Sequence, residues 1–236
     1  MTDRSMNTNR NTARIVGSFF LVAMVASLVG GTIVNSIIST PDALSTLSQV
    51  ESQLLFGVFL ELLNALSVVG IGILMFTVIK QYNETMAVGY LGLRVIESVF
   101  CSIIVIAPLS LIIINQNIPA SGSLNAISFE AMNTLSNAIR SSVVDWLIPI
   151  FFCLGALLLY SFLYRSKCLP RFISVWGVIA AALIALMVTL KFLNFEVSIG
   201  LNILLALPII FNEIFMGIWL VAKGFNSPTP NTEIGK

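Results

Sequence analysis

The sequence predicts an all-α membrane protein, a six-transmembrane-helix bundle in one domain, and three observations predict it. Of 236 residues, 57% are hydrophobic and 10% charged, with a mean hydropathy of +0.98. A soluble domain carries about 25% charged residues and roughly 45–50% apolar ones. Six apolar runs reach the length of about 20 residues that a helix needs to cross roughly 30 Å of hydrocarbon. None of them alternates as the strands of a membrane barrel do, and hydrocarbon obliges each backbone polar group to bond within its own segment. The near balance of 12 basic and 11 acidic residues and the three cysteines exclude nucleic-acid binding, disorder and a disulfide scaffold.

The elements follow in order. Residues 1–14 form a polar head carrying Arg4, Arg10 and Arg14, and Ile15–Ile38 is the first span. That run exceeds the roughly 7–15 residues of a signal-peptide core and no A-x-A site closes it, so it is read as a retained anchor. Gly30-Gly31 within it suits close helix packing. The connection 39–53 opens with Thr40-Pro41-Asp42, a helix-start signal, and places Leu44, Leu47 and Glu51 at helical spacing. The second span, Leu54–Ile79, turns through a short hairpin at 80–87 into the third, Val88–Ile114. The connection 117–142 repeats the amphipathic theme with Leu124, Ile127, Met132, Leu135 and Ile139 along one face. Both connections are expected to lie flat on the membrane surface, either as lids over an outward cavity or as segments that tuck loop backbone onto the bundle. Val143–Leu163, a hairpin at 164–171, Phe172–Phe192 and Ile199–Ala222 complete the spans, and 223–236, with Pro228 and Pro230, is a short tail.

Six spans put both termini on one side. That side holds Arg4, Arg10, Arg14, Lys80, Arg165, Lys167, Arg171, Lys223 and Lys236, whereas the opposite side holds Arg140 and Lys191. The positive-inside rule then makes the termini cytoplasmic and the location the inner cell membrane. The tryptophans Trp146, Trp176 and Trp219 sit near span ends as interface anchors.

The chemistry is largely defined by exclusion. The chain has no histidine, which removes imidazole-ligated metals and every histidine-activated nucleophile. Cys101, Cys153 and Cys168 form no C-x-x-C, and no phosphate-cradling G-x-x-x-x-G-K-[ST] occurs. The expectation is a protein that is not an enzyme and has no cofactor and no metal site.

What remains is charge placed where charge is costly, at about 2.5–3.5 kcal/mol for a residue at the bilayer centre. Glu97 lies about ten residues, roughly 15 Å, from the inner end of the third span, and Glu213 lies at a similar depth in the sixth. Arg94 precedes Glu97 by three positions and shares its face. At about 100° per residue, Tyr90, Arg94, Glu97, Cys101 and Pro108 fall on one stripe, while Asn202, Ala206, Glu213 and Gly217 fall on another. Gln53, Gly57, Glu61, Asn64 and Ser67 form a third stripe. These stripes are expected to face one another, which makes Arg94, Glu97, Glu213, Glu61, Asn64 and Asn202 the candidate binding residues. One arginine facing two acids leaves a negative charge, to be balanced by a proton or a bound cation. Prolines at 108, 149 and 208 break local helix bonding and free carbonyls that can line a cavity.

Two functions are compatible with this pattern. One is a small carrier or ligand-binding protein for a polar or cationic solute or a proton. The other is a non-catalytic membrane subunit or regulator whose buried ion pair only fixes helix packing. Membrane lipids are partners in either case.

Several short segments carry a family likeness. Ala13-Arg14-Ile15-Val16-Gly17, Leu93-Arg94-Val95-Ile96-Glu97 and above all Tyr164-Arg165-Ser166-Lys167-Cys168-Leu169-Pro170-Arg171, followed by Trp176-Gly177, resemble the bacterial family of unknown function numbered four-three-eight-six. The resemblance spans nearly the whole chain and implies a multi-pass membrane protein with six helices. It implies no reaction, substrate or catalytic residue.

Overall fold

The computed structural model describes residues 3–40, 43–117, 123–196 and 198–226. Its helices are α1 (Asp3–Ile38), α2 (Ala43–Ile79), α3 (Glu84–Ile103), α4 (Ile106–Asn117), α5 (Ser123–Ser142), α6 (Ile148–Ser166), α7 (Arg171–Phe192) and α8 (Ile199–Ala222). Among the described residues there is no strand. Six helical stretches among the described residues are long and apolar enough to cross a membrane, namely Arg10–Ile38, Leu47–Ile79, Glu84–Ile113, Ala131–Ser166, Arg171–Phe192 and Ile199–Ala222. The chain is a multi-pass membrane protein.

Each span packs on its neighbour in sequence. α1 lies against α2, α2 against α3, α3 against α6, α6 against α7 and α7 against α8, and α8 returns to α1. The spans therefore close a ring in chain order. The closing contact depends on two glycines near the chain-terminal end. A Cβ on Gly17 would sit 2.6 Å from the carbonyl oxygen of Gly217, so only a residue without a side chain permits this approach.

The ring has two apolar cores. The larger fills the end that carries the short hairpins, around Met75, Tyr90, Tyr160, Leu163, Ile173 and Met216. The smaller fills the end with the long connections, around Val34, Leu47, Leu54, Ile104, Leu111 and Val143.

Local chemistry sets the element ends. Asn83 accepts the Met86 N–H at 2.8 Å and starts α3, with Glu84 in its first turn. The α6–α7 hairpin turns on Lys167 in the left-handed region (φ 57°), and Asn226 pins it by donating from its backbone to the Cys168 carbonyl at 2.8 Å and from its side chain to that of Lys167 at 3.1 Å. Pro108 has no N–H to give the Ile104 carbonyl, and the third span breaks there into α3 and α4.

Both amphipathic connections differ from the expected surface helices. Residues 43–53 continue directly into α2, whose Leu47 is buried, because this segment covers the smaller core. The Pro41-Asp42 start signal, the loop at 118–122 and the tail at 227–236 lie outside the described residues. α5 runs through a five-residue π-turn, Val143–Leu147, into α6, and its polarity is inverted. Asn133, Ser136, Asn137 and Arg140 face the bundle, while Met132, Leu135 and Ile139 are exposed. An apolar face turned away from the protein is what a helix flanked by acyl chains requires.

Candidate functional site

Between the two cores all six spans line one cavity of about 280 Å³. Its wall is mostly apolar, with Phe20, Met24, Ile71, Phe152, Met187 and Ile209 contributing side chains. Three charged groups, Arg94, Glu97 and Glu213, also reach it, together with Asn64, Cys101 and Ser27. The cavity is not sealed, and two of its lining residues, Ser27 and Leu28 on α1, are exposed.

The buried face of α3 is Ala87, Tyr90, Arg94, Glu97 and Cys101, the helical stripe read from the sequence. Arg94 and Glu97 form an ion pair along this face. Arg94 Nη1 donates to both Glu97 oxygens, at 3.2 and 3.0 Å, and Nε donates to the Tyr90 hydroxyl at 3.0 Å. The guanidinium lies 5.4 Å from the Tyr90 ring centroid and 5.7 Å from that of Phe152, within cation–π range. Gly72 of α2 makes room for the arginine stem, since a Cβ there would lie 2.8 Å from Arg94 Cβ.

Two details set the chemistry of the cavity. Arg94 Nη2 is buried and has no hydrogen-bond partner among the described residues. Glu213, presented by α8 across the cavity, forms no hydrogen bond and no ion pair among them. The expected triad of one base between two acids is therefore a bonded pair plus a separate carboxylate. α8 holds Glu213 in place through its neighbour Asn212, whose amide donates to the Ile173 carbonyl of α7 at 3.0 Å.

A family model described as Domain of unknown function (DUF4386) matches residues 15–224. The chain belongs to this family. No curated protein and no solved structure matches it. The match runs from within the first span past the end of the last, so in this DUF4386 protein every residue that lines the cavity lies inside the family region.

Two residues grouped with the site by sequence spacing lie elsewhere. Asn202 is half-buried on α8 and does not line the cavity, because it stands more than two turns from Glu213 toward the long-loop end. Glu61 is buried one turn beyond Asn64, and both its oxygens accept from Arg140 of α5. Arg140 also donates to the Ile104 carbonyl at 2.9 Å and is within 3.4 Å of Asn35 Oδ1. The carbonyl that Pro108 leaves free is thus taken up by an arginine.

Sequence reasoning placed Arg140 in the outer loop and missed this cluster. The available signal was the similar depth of Arg140 and Glu61 near one end of the bundle. Asp145 and Lys191 form a further bridge at that end, at 2.8 Å.

Proposed function

We propose that this protein is a non-enzymatic small-solute carrier or binding protein of the bacterial inner membrane, with both termini cytoplasmic and the central cavity as its binding site. The observation that carries the reading is the cavity itself, mid-way along the ring and reached by three charged side chains. Its volume of about 280 Å³ falls just below the roughly 300–1,000 Å³ usual for small-molecule sites, which suits a small ligand. A few polar groups on an apolar wall match the usual make-up of such sites.

The rival reading, in which the ion pair only fixes packing, fits less well. Arg94 and Glu97 belong to the same helix, so their bond ties no two spans together. Glu61 and Arg140 do join separate helices, and that pair serves the packing role. The distribution of basic residues supports the orientation.

The test is thermal unfolding of the protein in lipid nanodiscs against 2-phenylethylamine, 3-phenylpropionate, phenylalanine and 2-phenylethanol. At least one is expected to raise the midpoint of the wild type and to lose that effect in Ala23→Phe and Met187→Trp, which fill the cavity. The reading fails if none acts, or if the shift survives in both filled variants.

A further inference from the structure

We infer that the cavity takes an organic monocation, an amine with an apolar body, and that Glu213 is its counter-ion; this rests on the reading of the cavity as a binding site. The inference begins with the charges. Arg94 and Glu97 neutralise each other through Nη1, with both carboxylate oxygens engaged. Glu213 has no such partner among the described residues, so whenever it is ionised the cavity holds a net negative charge that a proton or a bound cation must balance. A carboxylate in a low-dielectric wall gains most from a cation that reaches it within hydrogen-bond distance.

The remaining side-chain ligands are too few for calcium or magnesium. Calcium takes six to eight oxygen ligands and magnesium six. The cavity offers Glu213, Asn64 and Ser27, with Glu97 already held by Arg94. No group of three or more metal-binding side chains occurs among the described residues. The wall is instead built for hydrocarbon, with Phe20, Met24, Ile71, Phe152 and Met187 lining the same cavity as the carboxylate. Asn64, which lines the same cavity, adds an amide donor for a neutral acceptor such as a hydroxyl or ether oxygen on the same ligand. An anion would meet this donor too, but it would bring a further negative charge into the cavity.

The unsealed cavity fits the same class. An amine with an apolar body partitions into the bilayer, where the exposed Ser27 and Leu28 flank the cavity.

The test is titration calorimetry on the intact chain in nanodiscs made of zwitterionic lipid. The probes are 2-phenylethylamine, its uncharged counterpart 2-phenylethanol and the anion 3-phenylpropionate. The amine is expected to bind saturably and more tightly than the other two, and Glu213→Gln to weaken it by at least about tenfold. Glu213→Asp, which keeps the charge, should retain most of the affinity. Equal binding of amine and alcohol, or an undiminished amine affinity in Glu213→Gln, overturns the inference. Preferential binding of the anion overturns it too, while leaving the cavity as a binding site. No binding by any probe counts against the parent reading as well.

Discussion

Glu97→Leu and Glu213→Leu each remove one carboxylate from the same cavity, yet the structure assigns them different effects on stability. Glu97 accepts two hydrogen bonds from Arg94, at 3.2 and 3.0 Å, and both side chains are almost fully buried. Removing it leaves the guanidinium with the Tyr90 hydroxyl as its remaining hydrogen-bond partner among the described residues. Breaking a buried pair from one side costs about 3–5 kcal/mol. The cavity lets some polar surroundings reach Arg94, so the lower end, about 3 kcal/mol, is the expected loss. That is more than about a hundredfold in the unfolding equilibrium. Glu213 makes no bond of this kind among the described residues, and a central charge costs about 2.5–3.5 kcal/mol to place in the membrane. Glu213→Leu is therefore expected to be neutral or stabilising. Equilibrium unfolding in mixed micelles with rising dodecyl sulfate reads both values. A loss for Glu213→Leu equal to or above that for Glu97→Leu would refute the reasoning, because Arg94 would then depend on α8. In a Glu97→Leu background Glu213 becomes the nearest acid to the stranded arginine, and removing it there should cost more than removing it from the wild type.

Three further outcomes follow from the packing. Arg140→Met and Glu61→Leu should each lower stability by about 3–5 kcal/mol in the same assay, whereas the double variant should lose much less than the sum; full additivity would mean that the two side chains do not interact. Gly17→Ala should cost about 1–3 kcal/mol by forcing α1 from α8, and Gly31→Ala, where a Cβ meets nothing within 4 Å, serves as the neutral comparison. Leu135→Lys puts a charge on the outward face of α5. It should destabilise by about 2.5–3.5 kcal/mol if that face meets hydrocarbon near the bilayer centre, falling toward zero at the interface, and a gain in stability would contradict the inverted polarity of this helix.

Much of the architecture is legible in the chain itself, because run length and hydrocarbon thickness alone yield six helices. The polar stripe of α3 is also legible, since 100° per residue fixes which side chains share a face, and Tyr90, Arg94, Glu97 and Cys101 do share one. What a period cannot supply is how six helices are rotated against one another. Glu61 and Glu97 carry the same chemistry on neighbouring helices, yet one meets Arg140 and the other Arg94. The choice depends on α5, whose apolar residues suggest a surface helix until the buried position of Arg140 is known. Pro108 signals a freed carbonyl, but not that an arginine of α5 claims it. Asn202 and Glu213 share a stripe by angle and are separated by depth, which a helical projection discards.

The central claim is that the ring encloses an accessible cavity with a negatively charged wall rather than a dry ion pair. Cys101 reports on it directly, since its buried thiol lines the cavity beside Glu97. In a Cys153→Ala, Cys168→Ala background, mass spectrometry can follow its labelling by aminoethyl methanethiosulfonate, a small cation, and by the anionic sulfonatoethyl reagent. The account predicts that the cation labels Cys101 faster than the anion does, and that Glu213→Gln narrows the difference. A thiol that neither reagent reaches in the folded protein, or one that the anion reaches first, would contradict it.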